Sequence, residues 1–183
     1  MALPTRTVAG LVAATVLALT LLALQLRPEP ASSAAARASA TDVTFVRLMT
    51  PHHLSGVKLG QMAATKGVEP KIKALGKDIV RVQSREAGKL RTLLKRFGAE
   101  PAMVKPIEDR DKADMRKLKK LTGSAFDKAW LDVISAHHSA AIQMASIERA
   151  GGSDRTARQL ATGIVPQQSK ELAEFNALVK RLG

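Results

Sequence analysis

The sequence predicts an all-α protein, a four-helix bundle built from two duplicated helical hairpins and preceded by an N-terminal hydrophobic segment. The first observation is an internal repeat: residues 42–98 align with residues 127–183 without a gap, at a constant offset of 85, and share 14 identities in 57 positions. The second is that apolar residues recur at helical spacing in each copy. The third is that glycines break each copy near its middle, so each copy is expected to form a hairpin.

The helical stripes match between the two copies. In the first copy the glycine break is Gly67, and in the second it is Gly151-Gly152, followed by Ser153 or Asp154 as the cap of the next helix. The stripe before the break runs Phe45, Leu48, His52, Leu59, Met62 in the first copy and Trp130, Val133, His137, Met144, Ile147 in the second. Each copy therefore predicts two helices that pack through one apolar face.

The segment between the copies, residues 99–123, is highly charged. Pro106 is suited to the first turn of a helix, whose start is acidic (Glu108, Asp109) and whose end is basic (Lys119, Lys120). This order matches the helix macrodipole. We expect a solvated crossover helix.

The chain begins with a hydrophobic segment. Thr7–Leu26 contains no charged residue and is rich in Leu, Val and Ala. This is typical of a secretory signal or of an N-terminal membrane anchor, and Ala38-Ser39-Ala40 satisfies the small-residue rule for cleavage. We therefore expect residues 1–40 to be a signal or anchor with a Pro/Ala/Ser-rich spacer, residues 41–183 to form the bundle, and the protein to be exported, whether secreted, periplasmic or held on the outer face of the cytoplasmic membrane.

Composition restricts the chemistry. The chain has no cysteine, so any metal site must use His, Met, Asp or Glu. Residues 41–183 carry 26 Lys and Arg against 15 Asp and Glu, a net charge of +11, which favours contact with an anionic envelope surface. Aromatic residues that could stack on bases are scarce, so specific nucleic-acid binding is not expected.

Polar residues interrupt the apolar stripes at the same place in both copies. Taking Gly67 as the centre of the first turn, antiparallel pairing places His52 opposite Gln83 and Met49 opposite Glu86; the second copy repeats this with His137 opposite Gln168. Buried polar groups must be paired or hold water or an ion. The full set is His52, His53, Gln83 and Glu86 in the first copy and His137, His138, Gln168 and Glu171 in the second.

Two methionines make a metal site the preferred interpretation. Met49 lies three residues before His52, and Met144 lies seven after His137, so each thioether shares a helix face with an imidazole. Thioether sulfur suits Cu(I), and imidazole accepts Cu(I) or Cu(II). The predicted metal ligands are Met49, His52, His53, His137, His138 and Met144, with Gln83, Glu86, Gln168 and Glu171 as outer partners of the imidazoles.

The same residues resemble a known family. FVRLMTPHH followed by QSRE, and AHHSAAIQMA followed by QQSKE, are similar to the two halves of the exported family called domain of unknown function 305. The resemblance covers roughly residues 42–183 and implies a ferritin-like fold and copper as the metal, because some members are similar to periplasmic copper-binding proteins. The chain departs from the family pattern at Leu59-Gly60, where Met-Ala is usual, and at Ile134, where Met is usual.

Two other functions stay open. A ferritin-like bundle can hold a dinuclear iron or manganese oxidase, but such sites usually contain Glu-x-x-His, which this sequence lacks. Alternatively, the histidines are purely architectural and hydrogen-bond to Gln or Glu, and the protein has a structural or interaction role. We therefore predict a copper-binding or copper-buffering protein rather than an enzyme.

Overall fold

The computed structural model describes residues 38–182, which form five α-helices and confirm the predicted all-α bundle of two hairpins. The predicted N-terminal hydrophobic segment lies outside the described residues. Between residues 38 and 182, none of the helices is both long and apolar enough to span a membrane. The helices are α1 (Ala40–Lys66), α2 (Pro70–Phe97), α3 (Lys105–Lys120), α4 (Gly123–Gly151) and α5 (Arg155–Leu182).

Local signals define the ends of the first hairpin. Ser39 caps α1 in a capping box with Asp42, which satisfies backbone N–H groups that have no partner inside the helix. Gly67 ends α1. Glu69 caps α2, and Pro70 occupies the first turn, where a missing N–H costs nothing. The turn between the two helices is therefore only three residues long.

The second hairpin ends in the same way. Gly152 follows the last residue of α4, and its N–H donates to the carbonyl of Glu148. The Asp154 side chain accepts from the backbone N–H of Ala157, 2.9 Å away, and so caps α5. Asp154 corresponds to Glu69 in the repeat, so both copies use an acidic cap at the start of their second helix.

Two glycines bring α1 and α2 into backbone contact. A Cβ placed on Gly76 would lie 2.6 Å from the carbonyl oxygen of Gly60, and one placed on Gly60 would lie 2.7 Å from the carbonyl oxygen of Gly76. No side chain larger than hydrogen fits at either position without a shift of the helices. This contact sets the register of the first hairpin.

Two apolar cores lie along the bundle, and each is built from both repeats. The Trp130 core consists of Leu59, Ala63, Ile72, Leu75, Ile79, Leu118, Phe126, Ala129, Trp130, Leu131, Ile134, Phe175 and Leu178. The Met49 core consists of Phe45, Val46, Met49, Leu90, Leu93, Leu94, Ala141, Ala145, Ala157, Leu160, Ala161 and Ile164.

The repeats are also tied together by crossed aspartates. The carboxylate of Asp42, in the first turn of α1, accepts from the backbone N–H groups of Ser153 and Asp154, both at 3.0 Å. The carboxylate of Asp127, in α4, accepts from the N–H groups of Val68 (3.2 Å) and Glu69 (2.8 Å). Each repeat therefore caps the turn of the other.

Helix α3 runs beside α1. Pro51 has no N–H to offer the carbonyl of Arg47, and that carbonyl accepts instead from the N–H of Ala102 at 2.9 Å. At the other end of α3, the ammonium of Lys66 donates to the carbonyls of Leu118 (2.8 Å) and Lys119 (2.7 Å). These contacts position the crossover segment against the outer face of the first hairpin.

Candidate metal centre

All four histidines of the chain meet in one layer between the two cores. The rings of His52 on α1 and His137 on α4 stack with centroids 3.7 Å apart and planes at 29°. The ring of His53 lies 6.4 Å from that of His52, and the ring of His138 lies 6.0 Å from that of His137. The two predicted polar layers are therefore a single layer shared by both repeats.

A glutamate orients one histidine in each hairpin. The Nε2 atom of His53 lies 2.9 Å from a carboxylate oxygen of Glu86, and that of His138 lies 2.7 Å from Glu171. A carboxylate accepts, so each Nε2 carries the proton and each Nδ1 keeps a free lone pair. This is the arrangement in which an outer carboxylate holds an imidazole ready for a metal ion.

The pairing differs by about one helical turn from the predicted register. The carboxylate of Glu86 lies against His53, where Met49 was expected, and Gln83 lies against Gly56, where His52 was expected. In the second hairpin the partner of Glu171 is His138. The turn at residues 67–69 and the Gly60–Gly76 contact place the two helix backbones within one residue of the predicted register. The predicted side-chain pairing was wrong because side chains tilt toward the N-terminus of their own helix, so those of an antiparallel pair meet across different levels.

The layer does not satisfy its own polar groups. Nδ1 of all four histidines is buried and has no hydrogen-bond partner within residues 38–182, and the same holds for the side-chain amides of Gln83 and Gln168. The one hydrogen bond between the repeats here joins Nε2–H of His137 to the carbonyl of His52, at 3.0 Å. Unpaired buried polar atoms are costly, so this layer is suited to receive an ion or water.

Burial keeps the central imidazoles neutral. Burial, followed by the proximity of His53, His138 and Arg110, lowers the pKa of His52 to about 3. Burial and the neighbouring histidines also lower the pKa of His137 well below its ordinary value. At neutral pH both rings can therefore offer a lone pair to a metal ion.

The two predicted methionine ligands lie on the same side of the histidine layer. Met49 is fully buried in the Met49 core, and Met144 packs against that core. The equivalent positions of the repeat are held by Ile134 and Leu59, and both belong to the Trp130 core. Of these four repeat-related positions, only the two at the Met49 core carry thioether sulfur, while Met62 and Met115 pack against the Trp130 core from other positions.

A small cavity joins the layer to α3, which sequence reasoning had treated only as a solvated connection. Its volume is about 20 Å³, enough for a single water or ion. His52 and His137 line it together with Asp111, Asp114 and Met115 of α3. The acidic start of α3 was the available signal, but periodicity could not show that it faces the histidines. Between residues 38 and 182, the histidine layer included, no group of three or more His, Asp or Glu side chains is already arranged to hold a metal ion.

The chain therefore belongs to the class of all-helical bundles, and its two repeats share one buried histidine layer. Residues 42–179 match the family described as a domain of unknown function (DUF305), and the chain belongs to this family. None of the curated proteins matches the sequence.

Solved structures of other members have the same fold. A DUF305 fragment from Deinococcus radiodurans is 22% identical, with 79% of this chain and 98% of that chain covered and a TM-score of 0.71. CopM in its Cu(I)-bound form is 26% identical, with 78% and 98% covered and a TM-score of 0.68. CopM in its Cu(II)-bound form is 25% identical, with 76% and 97% covered and a TM-score of 0.66.

Proposed function

We propose that this chain is an exported copper-binding protein that buffers copper in the cell envelope. The observation that carries the proposal is the layer of four buried imidazoles whose Nδ1 atoms have no partner within the described residues. A purely architectural layer would be expected to pair these atoms with Gln or Glu. The proposed ligands are Met49, His52, His53, His137, His138 and Met144.

The donor set favours copper. It combines imidazole nitrogen with thioether sulfur and contains no thiolate, which suits both copper oxidation states in an oxidising compartment. CopM, which shares the fold, was solved with Cu(I) and with Cu(II). Glu86 and Glu171 take the outer role, because each already accepts a hydrogen bond from an imidazole.

We infer one preferred Cu(I) position, on the side of the layer that faces the Met49 core. Met49 and Met144 both lie there, whereas their repeat equivalents on the other side, Ile134 and Leu59, offer no donor atom and leave Met115 as the thioether of the cavity there. Histidines on the Trp130 side remain available to Cu(II) or Zn(II), which need no thioether.

The geometry speaks against the dinuclear enzyme. Glu86 and Glu171 each pair with a histidine of their own hairpin, and the sequence contains no Glu-x-x-His motif. Hard metals such as Fe(II) and Mn(II) need such carboxylate-rich sites. We therefore propose that the protein binds its metal without catalysing a reaction.

Export and surface contact complete the proposal. The uncharged segment Thr7–Leu26 supports a signal or anchor, and the net charge of +11 on residues 41–183 supports contact with an anionic envelope surface. An absence of cysteine is compatible with such a compartment.

Titration of residues 41–183, purified without an affinity tag, tests the function. We expect Cu(I) and Cu(II) to bind more tightly than Zn(II) or Fe(II), and the variant H137A/H138A, checked for helicity by circular dichroism, to lose most of this affinity. Failure to bind any of the four metals would leave the histidine layer architectural. Preferential binding of Fe(II) would favour the dinuclear site instead.

A further inference from the structure

Three of the five methionines within the described residues line one groove on the surface of the bundle. The groove lies between α1 and α3 and has a volume of about 750 Å³. Met62 comes from α1, Met115 from α3 and the exposed Met103 from the segment before α3. Met49 and Met144 lie elsewhere, in and against the Met49 core. The thioethers thus form an outer set and an inner set.

The groove adjoins the cavity beside the histidines. Ser55, Asp111 and Met115 line both spaces, and His52 and His137 line the cavity. At this junction the hydroxyl of Ser55 donates to the carboxylate of Asp111, 3.1 Å away. Only these three side chains therefore separate the groove from two buried imidazoles whose Nδ1 atoms have no partner in residues 38–182.

Contacts at both ends of α3 keep this groove in place. The carbonyl of Arg47, left free by Pro51, holds Ala102 just before α3, and Lys66 holds the last carbonyls of α3. Methionine is otherwise a flexible filler of apolar cores. In this groove Met62 and Met115 pack against the Trp130 core and also border an open, charged space.

We propose that this groove is the route by which Cu(I) reaches the histidine layer, with the thioethers of Met62, Met103 and Met115 as its outer ligands. The inference rests on the copper binding proposed above. Neutral sulfur binds soft Cu(I) without needing an anionic site, and a path of successive weak ligands allows transfer inward. Asp111 and Met115 at the junction pass the ion to His52 and His137.

The net positive charge of the groove makes the route selective for Cu(I) over divalent ions. Basic side chains outnumber acidic ones along it, and Coulomb repulsion grows in proportion to the charge of the ion. Divalent Cu(II) and Zn(II) are therefore repelled more than Cu(I), and the thioethers compensate only the soft ion. The basic side chains are Lys58, Lys112, Arg116 and Lys119, and the acidic ones are Glu108 and Asp111.

Transfer kinetics test this route. The probe is substoichiometric Cu(I) supplied as its bicinchoninate complex, whose colour is lost as the protein takes the metal. In the variant M62L/M103L/M115L we expect the transfer rate to fall by about tenfold or more while the equilibrium affinity changes by less than about threefold, because a route affects rate rather than final binding. The matched inner variant M49L/M144L should show weaker equilibrium binding instead.

The outcomes separate this inference from the copper function itself. A wild-type protein that takes no Cu(I) would overturn the proposed function. A wild-type protein that binds Cu(I), together with a groove variant that takes it at the same rate, would overturn the route alone. Slower transfer of Zn(II) in the groove variant would also contradict the route, because imidazole-bound zinc has no need of the thioethers.

Discussion

Four apolar side chains determine how the two sides of the histidine layer differ. Met49 and Met144 on one side correspond through the repeat to Ile134 and Leu59 on the other. All four pack in or against an apolar core, so their volumes serve the same purpose. Their difference lies in the sulfur atom, which the two aliphatic residues lack.

Exchanging the two inner methionines for leucine should separate packing from metal binding. In M49L/M144L the volume is nearly conserved, so the loss of stability should stay below about 1.5 kcal/mol per site. Cu(I) affinity should fall by more than about 100-fold, since direct ligands cost more than outer partners, while Cu(II) and Zn(II) binding should change less. Competition with a Cu(I) chelator and urea unfolding give the two quantities.

The repeat offers a matched control for this experiment. The variant L59M/I134M places methionine at the equivalent positions on the Trp130 side. It should raise the Cu(I) capacity of the protein, because the second side of the layer then gains both thioethers. Unchanged Cu(I) affinity in M49L/M144L would mean that both methionines pack the core and do not bind the metal.

Between helices, the His–Glu contact links α1 to α2 and repeats between α4 and α5. Glu86 accepts from His53 and Gln83 is buried close to Gly56, so both act from the second helix of the hairpin. Replacing Gln83 and Glu86 together by alanine should weaken Cu(II) binding by about 10- to 100-fold, less than replacing His52 and His53. Isothermal titration compares the two double variants. Equal losses would make Glu86 a direct ligand.

A second prediction about helix pairing follows from the backbone contact between α1 and α2. A Cβ on Gly76 would meet the carbonyl of Gly60 and the Cβ of Ala63, each within 2.7 Å. We expect Gly76→Ala to destabilise the protein by about 1 to 3 kcal/mol, even though alanine is the better helix former. Chemical denaturation measures the change.

Gly88 provides the control for this substitution. It lies in the same helix and is exposed, and a Cβ there would meet nothing within 4 Å. Gly88→Ala should therefore stabilise the protein by about 0.5 to 1 kcal/mol. Stabilisation by both substitutions would mean that α1 and α2 are not in backbone contact.

Across the whole molecule, the crossed aspartates join the repeats, and one of them, Asp42, lies near the buried Glu148. Burial, and then the nearby Asp42 carboxylate, raise the pKa of Glu148 to about 8. Burial alone would raise the pKa of Asp42 too, but hydrogen bonds from Ser39, Ser153 and Asp154 hold it well below its usual range. At neutral pH Glu148 therefore stays protonated and Asp42 stays negatively charged.

This pair predicts a pH dependence of stability. Because the pKa of Glu148 is higher in the folded state, its proton binds the folded state more tightly, so its contribution to stability falls as the pH rises from about 4.5 to about 8. Glu148→Gln keeps the size of the side chain, removes the titrating carboxyl and should remove this decline. Thermal unfolding across this pH range measures the difference between the two proteins.

Two buried histidines change stability with pH in the opposite direction to Glu148. The pH dependence of the wild type must therefore be compared with that of the Glu148→Gln protein. His52 and His137 have lowered pKa values, so their contribution is complete above about pH 6.5 and is lost as the pH falls below it. They are shared by wild type and variant and cancel in the difference. Exposed Glu100, replaced by Gln, is the control. An identical decline in the Glu148→Gln protein would contradict the raised pKa of Glu148.

The helices, their pairing into two hairpins and the grouping of histidine with glutamate could be read from the sequence. Each depends on local chemistry, such as the cap at Asp154, the stops at Gly67 and Gly152, and a period that any helix imposes on its buried face. A gapless repeat extended these local signals to the whole chain, because equivalent residues of the two copies must occupy equivalent positions.

Only the tertiary structure decided how the copies meet. Stacking of His52 on His137 merges the two polar layers, both predicted methionine ligands fall on one side, and two carboxylates of α3 lie beside the histidines. These contacts join residues far apart in the chain, and periodicity along one helix does not specify the rotation or register of another. The backbone contact of Gly60 with Gly76 and the crossed caps of Asp42 and Asp127 set how the helices pack, and the tilt of the side chains along their helices brings His53, rather than Met49, to Glu86.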